Sequence, residues 1–397
     1  MWMWGQCYRQ DLEHPHALLT QRFGPGAEPS VVSVPGRVNL IGEHIDYHNL
    51  PVMPIAIQRR IRIAFRRRDD RRIRAASTGT YGEREFEWKA PLEPAASGDW
   101  VNYVKAAAQA VDGKWSVANG IDAVVDSDLP AAAGLSSSSA LLTGFTLALL
   151  RANGVKASFE ELMEVLPEGE YFVGTRGGGM DHAAVLASEA GCALLIRFAP
   201  LAVAPVPVPK EWSFLVAHSL TTAEKSGEMR ARYNSRRTEG MRAVERLGFK
   251  SYREAVEGRR FDQLRVLADR GLEGKERRRF LHVTGEAFRV EEAAAALRAK
   301  DAAAFGRLMN ASHESMRDLL EISNAALDEL VETALQAGAF GARLTGAGFG
   351  GCAVVACHAV DRDRVAEGIV RGYYSKRAGF DRVTHLIAAE PSPGALR

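Results

Sequence analysis

Four residues with chemistry to offer, Arg37, Glu43, His44 and Asp46, crowd the end of an apolar run in residues 35–46, Pro-Gly-Arg-Val-Asn-Leu-Ile-Gly-Glu-His-Ile-Asp. Val34, Val38, Leu40 and Ile41 have the character of a buried strand, and Gly42 ends it. Polar side chains packed this tightly beyond a strand are costly to bury unless something bonds them. A polyhydroxylated ligand would do so. For any one of them alone, a capped turn is the plainer alternative.

A second stretch suits a phosphate. Residues 129–141 read Leu-Pro-Ala-Ala-Ala-Gly-Leu-Ser-Ser-Ser-Ser-Ala-Leu, and Leu142, Phe145, Leu147, Leu149 and Leu150 continue a helical pattern. Small residues let a ligand approach the backbone, and serines can cap the helix. Exposed first-turn amides and the helix dipole make an anion site. Serine hydroxyls can also reach phosphate or magnesium. A serine-rich linker shares the composition but not the abrupt helix start. The chain has no Gly-x-x-x-x-Gly-Lys-Ser/Thr and no His-Arg-Asp with Asp-Phe-Gly, so it is neither a P-loop protein nor a protein kinase.

A third stretch supplies acids. Glu170 precedes Tyr-Phe-Val-Gly-Thr-Arg-Gly-Gly-Gly-Met, with Asp181 and His182 next. Glycines there permit positive φ and close approach. Asp181, held by that turn near a following helix, could orient or deprotonate a hydroxyl. Arg37, if adjacent, would keep it ionised. Taken alone, Asp181 serves equally as a helix cap and Glu170 as a surface acid. Residues 344–352, Leu-Thr-Gly-Ala-Gly-Phe-Gly-Gly-Cys, suggest a tight loop that lines or closes the phosphate site, or a purely structural turn.

These motifs need a frame. Helical spacing is found at 8–22, 100–111, 137–152, 158–173, 223–247, 283–299, 301–320, 324–337 and 360–373. Strands are expected at 30–41, 53–66, 71–77, 83–88, 121–126, 191–198, 212–218 and 382–389, and 342–357 is glycine-rich, then strand-like. The lack of strict strand–helix alternation argues for an α+β fold. Prolines at 200, 205, 207 and 209 favour an extended connection near a domain boundary. Nine arginines lie between Arg59 and Arg74, alternating with Ile61, Ile63 and Phe65, which reads as a strand with one solvated face rather than an anion-attracting surface.

Bulk properties narrow the class. The 397 residues suggest two or three domains, and 46% apolar with 25% charged residues is ordinary globular composition. A net charge of +2 argues against nucleic acid or a membrane surface as partner. Cys7, Cys192, Cys352 and Cys357 show no zinc spacing and read as reduced, buried thiols. With no signal-peptide pattern and no long apolar run, a cytoplasmic location is expected.

Together the three motifs resemble the GHMP kinases, and Pro35 to Tyr47 is similar to the galactokinase signature. The resemblance implies a two-domain α+β GHMP kinase fold, with domains 1–205 and 206–397 and the active site in the cleft between them. It implies that Gly134, Leu135, Ser136, Ser137, Ser138 and Ser139, with Gly346 and Gly348, hold ATP. Ser138 and Glu170 match magnesium positions, with Ser139 the alternative to Ser138. Asp181 matches the catalytic aspartate and Arg37 its charge partner. Glu43, His44, Asp46, Gly179 and Tyr233 match sugar binders. The implied reaction moves the γ-phosphoryl of MgATP to the anomeric hydroxyl of galactose or a close derivative. The expected partners are a small sugar and ATP, with no nucleic acid or membrane, for a monomer.

Departures touch the sugar more than the chemistry. His182 stands where the family usually has Gln, and Leu50 where it has Gly. The segment from His218 to Tyr233 is longer than in ordinary galactokinases and looks more like N-acetylgalactosamine kinases, while Ala-Glu-Lys-Ser-Gly looks like kinases for arabinose or galacturonate. Those sugars stay open as alternatives, as does a non-catalytic sugar and ATP sensor. If Glu43 faces the 6-position, a uronate would set two carboxylates together and a pentose would leave Glu43 and His44 without their hydroxyl, so galactose or a 2-substituted galactose leads.

Overall fold

The computed structural model describes residues 13–79, 81–89, 91–130, 134–174, 177–221 and 227–397. Expectations for residues 8–12 and Cys7, for Ala131–Ala133, for Thr175 and Arg176, and for the Thr222–Ser226 part of the long segment fall outside these. The strands are β1 Ser30–Ile41, β2 Met53–Arg67, β3 Arg72–Ser77, β4 Glu83–Glu87, β5 Ile121–Ser127, β6 Cys192–Phe198, β7 Leu201–Pro207, β8 Trp212–His218, β9 Gly341–Thr345, β10 Cys352–His358 and β11 Leu386–Ala389. The helices are α1 Glu13–Phe23, α2 Val101–Trp115, α3 Ser137–Ala152, α4 Phe159–Phe172, α5 Met180–Ala187, α6 Gly227–Arg246, α7 Tyr252–Val256, α8 Phe261–Gly271, α9 Gly274–Arg298, α10 Ala302–Ser315, α11 Ala325–Gln336, α12 Arg362–Gly372 and α13 Arg382–His385.

The first half is built on a sheet ordered β1-β2-β5-β3-β4, in which only β3 and β5 run parallel. Alternation along β2 decides its two faces. Ile61, Ile63 and Phe65 join the main core with Phe145 and Leu149 of α3, while Ala64 turns to the other face with Leu19 of α1. That second face carries the arginines expected in solvent. It is covered instead: Arg62 and Arg66 are buried, Arg66 donates to the Gly24 carbonyl, and Arg62 pairs with Asp128. Arg68 and Arg74 converge on Asp122. The solvated-face expectation fails because α1 and the segment after it close over the strand, and nearby carboxylates neutralise the cations.

The second half has a sheet ordered β11-β8-β10-β9. Leu215, Ala217, Ala353 and Val355 on one face join Leu330 of α11 and Ile369 of α12 in a second core. Phe214, Val216 and Val354 on the other face join the main core with Phe305 and Met309 of α10. The proline segment is strand β7, an edge strand paired only with β6, where missing N–H groups cost little. The expected domain division at 205/206 falls inside β7. Residues 342–357 are two strands with the glycine loop between them, and 382–389 opens with the short α13 before β11. Helices α7 and α8 and the first turns of α9 were not foreseen.

After β11 the chain returns to the first half. Ser392 N–H donates to the Ala56 carbonyl, and the Gly394, Ala395 and Leu396 amides donate to Ser188, Val185 and Leu186 at the end of α5.

Candidate active site

Strand β1 delivers the polar turn. Gly42 has φ +102°, and a Cβ there would lie 2.9 Å from Val52 Cα and 3.0 Å from Val290 Cγ2, so only glycine fits. His44 follows with φ +61°. Its Nε2 donates to the Ala347 carbonyl at 3.2 Å, and its Nδ1 accepts from the Tyr47 hydroxyl at 2.9 Å. Burial, with His282 beside it, pushes its pKa down to about 3, so the ring is neutral. Tyr233 of α6 lays its ring 4.9 Å from that of His44. Asp46 accepts from the Gly178 amide at 3.0 Å, and burial together with the Asp181 charge pushes its pKa up to about 6.

Gly178 fixes this approach. A Cβ there would fall 2.2 Å from the Asp46 carbonyl carbon and 2.3 Å from the Tyr47 amide nitrogen, both backbone atoms that cannot rotate away. Gly178→Ala is therefore expected to push the Asp46 turn off the Asp181 turn and lower kcat/KM about 100-fold, the cost of a displacement near 1 Å. Steady-state kinetics with a folded variant checks this; wild-type kcat/KM would refute it.

Asp181 sits in the first turn of α5, just after Gly179 at φ +99°. Arg37 Nε and Nη2 reach its Oδ1 at 2.7 and 2.6 Å, and Ser136 Oγ donates to Oδ2 at 2.5 Å. Burial pushes the Asp181 carboxyl up, but Arg37 and Ser136 outweigh it and hold the group below the usual carboxylate range. Arg37 also donates to the Gly134 carbonyl, so one buried cation ties the aspartate to the serine loop. Ser139 donates to Glu170 Oε1 at 2.5 Å and lies 3.4 Å from Asp181 Oδ2. His182 Nε2 stands 3.4 Å from the same Glu170 oxygen.

One cleft of about 210 Å³ brings most of the anticipated residues together: Arg37, Glu43, His44, Asp46, Gly134, Ser136, Ser137, Ser138, Glu170, Gly179, Asp181, Tyr233, Gly346 and Gly348 all line it. Two expected ATP contacts turn away. Leu135 is buried and offers its carbonyl to the Arg37 amide, and Ser139 is 1% exposed against Glu170. Glu43 differs most from expectation. Its carboxylate already accepts from Asn39 Nδ2 at 2.5 Å, Arg343 Nη2 at 2.8 Å and the Gly346 amide at 2.6 Å. It ties the polar turn to the glycine loop as well as facing the cleft. Tyr103 of α2 and Val173, just past the end of α4, also line the cleft and carry no spacing signal in the sequence, while Phe349 lines it from within the anticipated glycine loop.

Residues 18–67 match the galactokinase galactose-binding signature, residues 102–189 the GHMP kinases N terminal domain and residues 293–376 the GHMP kinases C terminal family. The galactokinase of Actinobacillus pleuropneumoniae serotype 3 (strain JL03) is 34% identical over 388 residues, covering 94% of this chain and 98% of the relative. The chain belongs to the galactokinase family. Galactokinases of Chloroflexus aurantiacus (37% identical over 369 residues, 91% of this chain and 92% of the relative) and Bos taurus (37% over 367 residues, 88% and 89%) agree. The crystal structure of Lactococcus lactis galactokinase complexed with galactose superposes with a TM-score of 0.87 at 26% identity, over 96% of this chain and 97% of that one. The L. major mevalonate kinase structure shares the GHMP kinase fold at a TM-score of 0.60 and 20% identity, over 92% and 96%. As a galactokinase-family member the chain is a sugar phosphotransferase. No helix among the described residues is long and apolar enough to cross a membrane.

Proposed function

We propose that this galactokinase-family chain transfers the γ-phosphoryl of ATP to the anomeric hydroxyl of galactose. The observation that carries the reading is the place of Asp181. It bonds Ser136 at the start of α3 on one side, and on the other its glycine turn bonds Asp46 of the polar turn. A hydroxyl held by His44, Asp46 and Tyr233 would therefore meet a phosphate seated on the amides and dipole of α3. Asp181, kept ionised by Arg37, orients that hydroxyl and takes its proton, and Arg37 balances charge beside the transferred group. Positioning supplies most of the rate.

Beside the Arg37 and His182 nitrogens, Ser136, Ser139, Asp181 and Glu170 put hydroxyl and carboxylate oxygens together, the donors that magnesium prefers. Glu170 and Ser138, which both line the cleft, would hold the ion. Magnesium carried with ATP neutralises phosphate charge. The free thiols Cys192, Cys352 and Cys357 suit a reducing, cytoplasmic setting, and the chain acts on its two small substrates as a monomer.

ADP release over a panel of galactose, N-acetylgalactosamine, arabinose and galacturonate tests the reading. Galactose is expected to give the highest kcat/KM, and no turnover on any of the four would overturn it.

The raised pKa of Asp46 adds a pH prediction. Sugar hydroxyls donate to the ionised carboxylate, so bound sugar favours that form. Above pH 6 Asp46 is already ionised and sugar affinity is flat; below about 6 the empty site is protonated and KM for galactose rises about tenfold per pH unit. Calorimetry in two buffers should show proton release on binding near pH 5.5. A wild-type galactose affinity that stays flat from pH 7.5 to 5 would remove Asp46 from this role.

A further inference from the structure

We propose that Glu286 of α9 is a positioning residue for sugar recognition: it is the built-in anion on which the amides of the polar turn are folded. The amides of Gly42 and Glu43 both point at Glu286 Oε1, at 2.9 and 3.3 Å. Consecutive backbone N–H groups converging on one oxygen form an anion-binding concavity, here filled by a side chain 244 residues away in sequence. Ser312 of α10 donates to the same oxygen at 2.6 Å, and Arg289 Nε donates to Oε2 at 2.7 Å. Glu286 is fully buried, so its charge is spent on these partners and not on solvent.

The clamp has a second jaw. His282, one helical turn earlier on α9, donates from Nε2 to the Glu43 carbonyl at 3.1 Å, and its Nδ1 accepts from Ser315 Oγ at 2.9 Å. Both backbone groups of Glu43 are thus fixed from behind by α9. The turn needs this. It carries Gly42 and His44 at positive φ, a path the chain does not keep unaided, and His44 and Asp46 follow directly from it. Burial alone would raise the Glu286 pKa, but Arg289 and Arg343 outweigh it and bring it down to about 2, so the anion persists at any working pH. Glu286 does not line the cleft and touches no reacting atom. It acts through the turn. This inference rests on the proposed role of His44 and Asp46 in binding galactose.

The test compares ligand affinities by calorimetry, galactose without nucleotide and ATP analogue without sugar. Glu286→Gln is expected to weaken galactose binding about tenfold or more, the scale of losing a charge-assisted bond, and to leave nucleotide affinity unchanged. KM for galactose should rise in step, with kcat at saturating sugar largely kept. Should Glu286→Gln fail to fold, Ser312→Ala removes one donor and keeps the carboxylate; a smaller loss, about threefold to tenfold, is expected for galactose alone. Leu330→Ala, in the second core, controls for general destabilisation by lowering the melting temperature without changing either affinity. Equal weakening of both ligands, or unchanged galactose affinity in the folded variants, overturns the inference. A wild type that binds no galactose overturns the proposed function and this inference with it; a wild type that binds it beside unaffected variants overturns this inference alone.

Discussion

Asp181→Asn lowers turnover about a thousandfold and leaves nucleotide affinity near wild type. Asparagine keeps the size of the side chain and can still accept from Arg37 through its amide oxygen, so the cleft retains its shape. What it loses is the ability to take a proton and the negative charge between Arg37 and Ser136. General-base contributions of about 10²- to 10⁴-fold set the scale. On the proposed reading the nucleotide would rest on α3 and its serines, and this change leaves that helix in place. Single-turnover and equilibrium titration experiments separate the two quantities, and turnover within about tenfold of wild type would take Asp181 out of the proton transfer.

Arg37→Met has a larger effect on stability and an informative effect on pH. Its guanidinium is buried and satisfies both Asp181 and the Gly134 carbonyl. Breaking a buried pair costs about 3–5 kcal/mol, and the lower end applies because the Asp181 side chain keeps 26% exposure to the cleft. The sign of the pH effect follows from the forces on Asp181. In the wild type its folded pKa lies below the unfolded value of about 3.9, so the group's contribution is present above that pH and is lost as pH falls through the folded value. Without Arg37, burial wins and the folded pKa rises above the unfolded one. The same carboxyl then costs stability as pH rises through the acid range towards neutrality. Acid-side melting curves should converge for the two proteins at low pH and separate as pH rises. The acid limb of the kcat/KM profile should move towards neutrality. An unmoved limb would show that Arg37 does not set the charge of Asp181.

The polar turn, the serine loop, Asp181 and most element boundaries were legible because their signals are local: a strand pattern broken by Gly42, a helix starting at once after serines, glycines before an acid. Glu286, His282 and Arg343 were not legible. Each meets Glu43 or its neighbours from more than 230 residues away, and in sequence each is one more polar position on an element. The start of α9 was missed for a related reason. Lys275 to Arg279 show no apolar periodicity, yet Arg279 is fully buried between Glu239 and Glu321. The arginine face of β2 misled in the same way. Tertiary ion pairs turned residues that read as solvated into interior ones. Glu43 shows the other limit: its type and place pointed to a ligand, but only the structure shows how much of its bonding capacity the protein already uses.

The return of residues 392–396 to the first half sets an order on assembly. The Ala56 carbonyl at the inner end of β2 and the last turn of α5, whose first turn carries Asp181, receive their partners from residues 392–396. Gln58 is likewise bonded at both ends by residues 388 and 390. These contacts span more than 190 residues in every case, and for Ala56 and Gln58 more than 320. During synthesis the half that bears the polar turn and the serine loop emerges first, but it waits for residues 388–396 to seal it. Such long-range closures slow the search for the native state, and the nascent first half must stay unaggregated without those partners until they arrive.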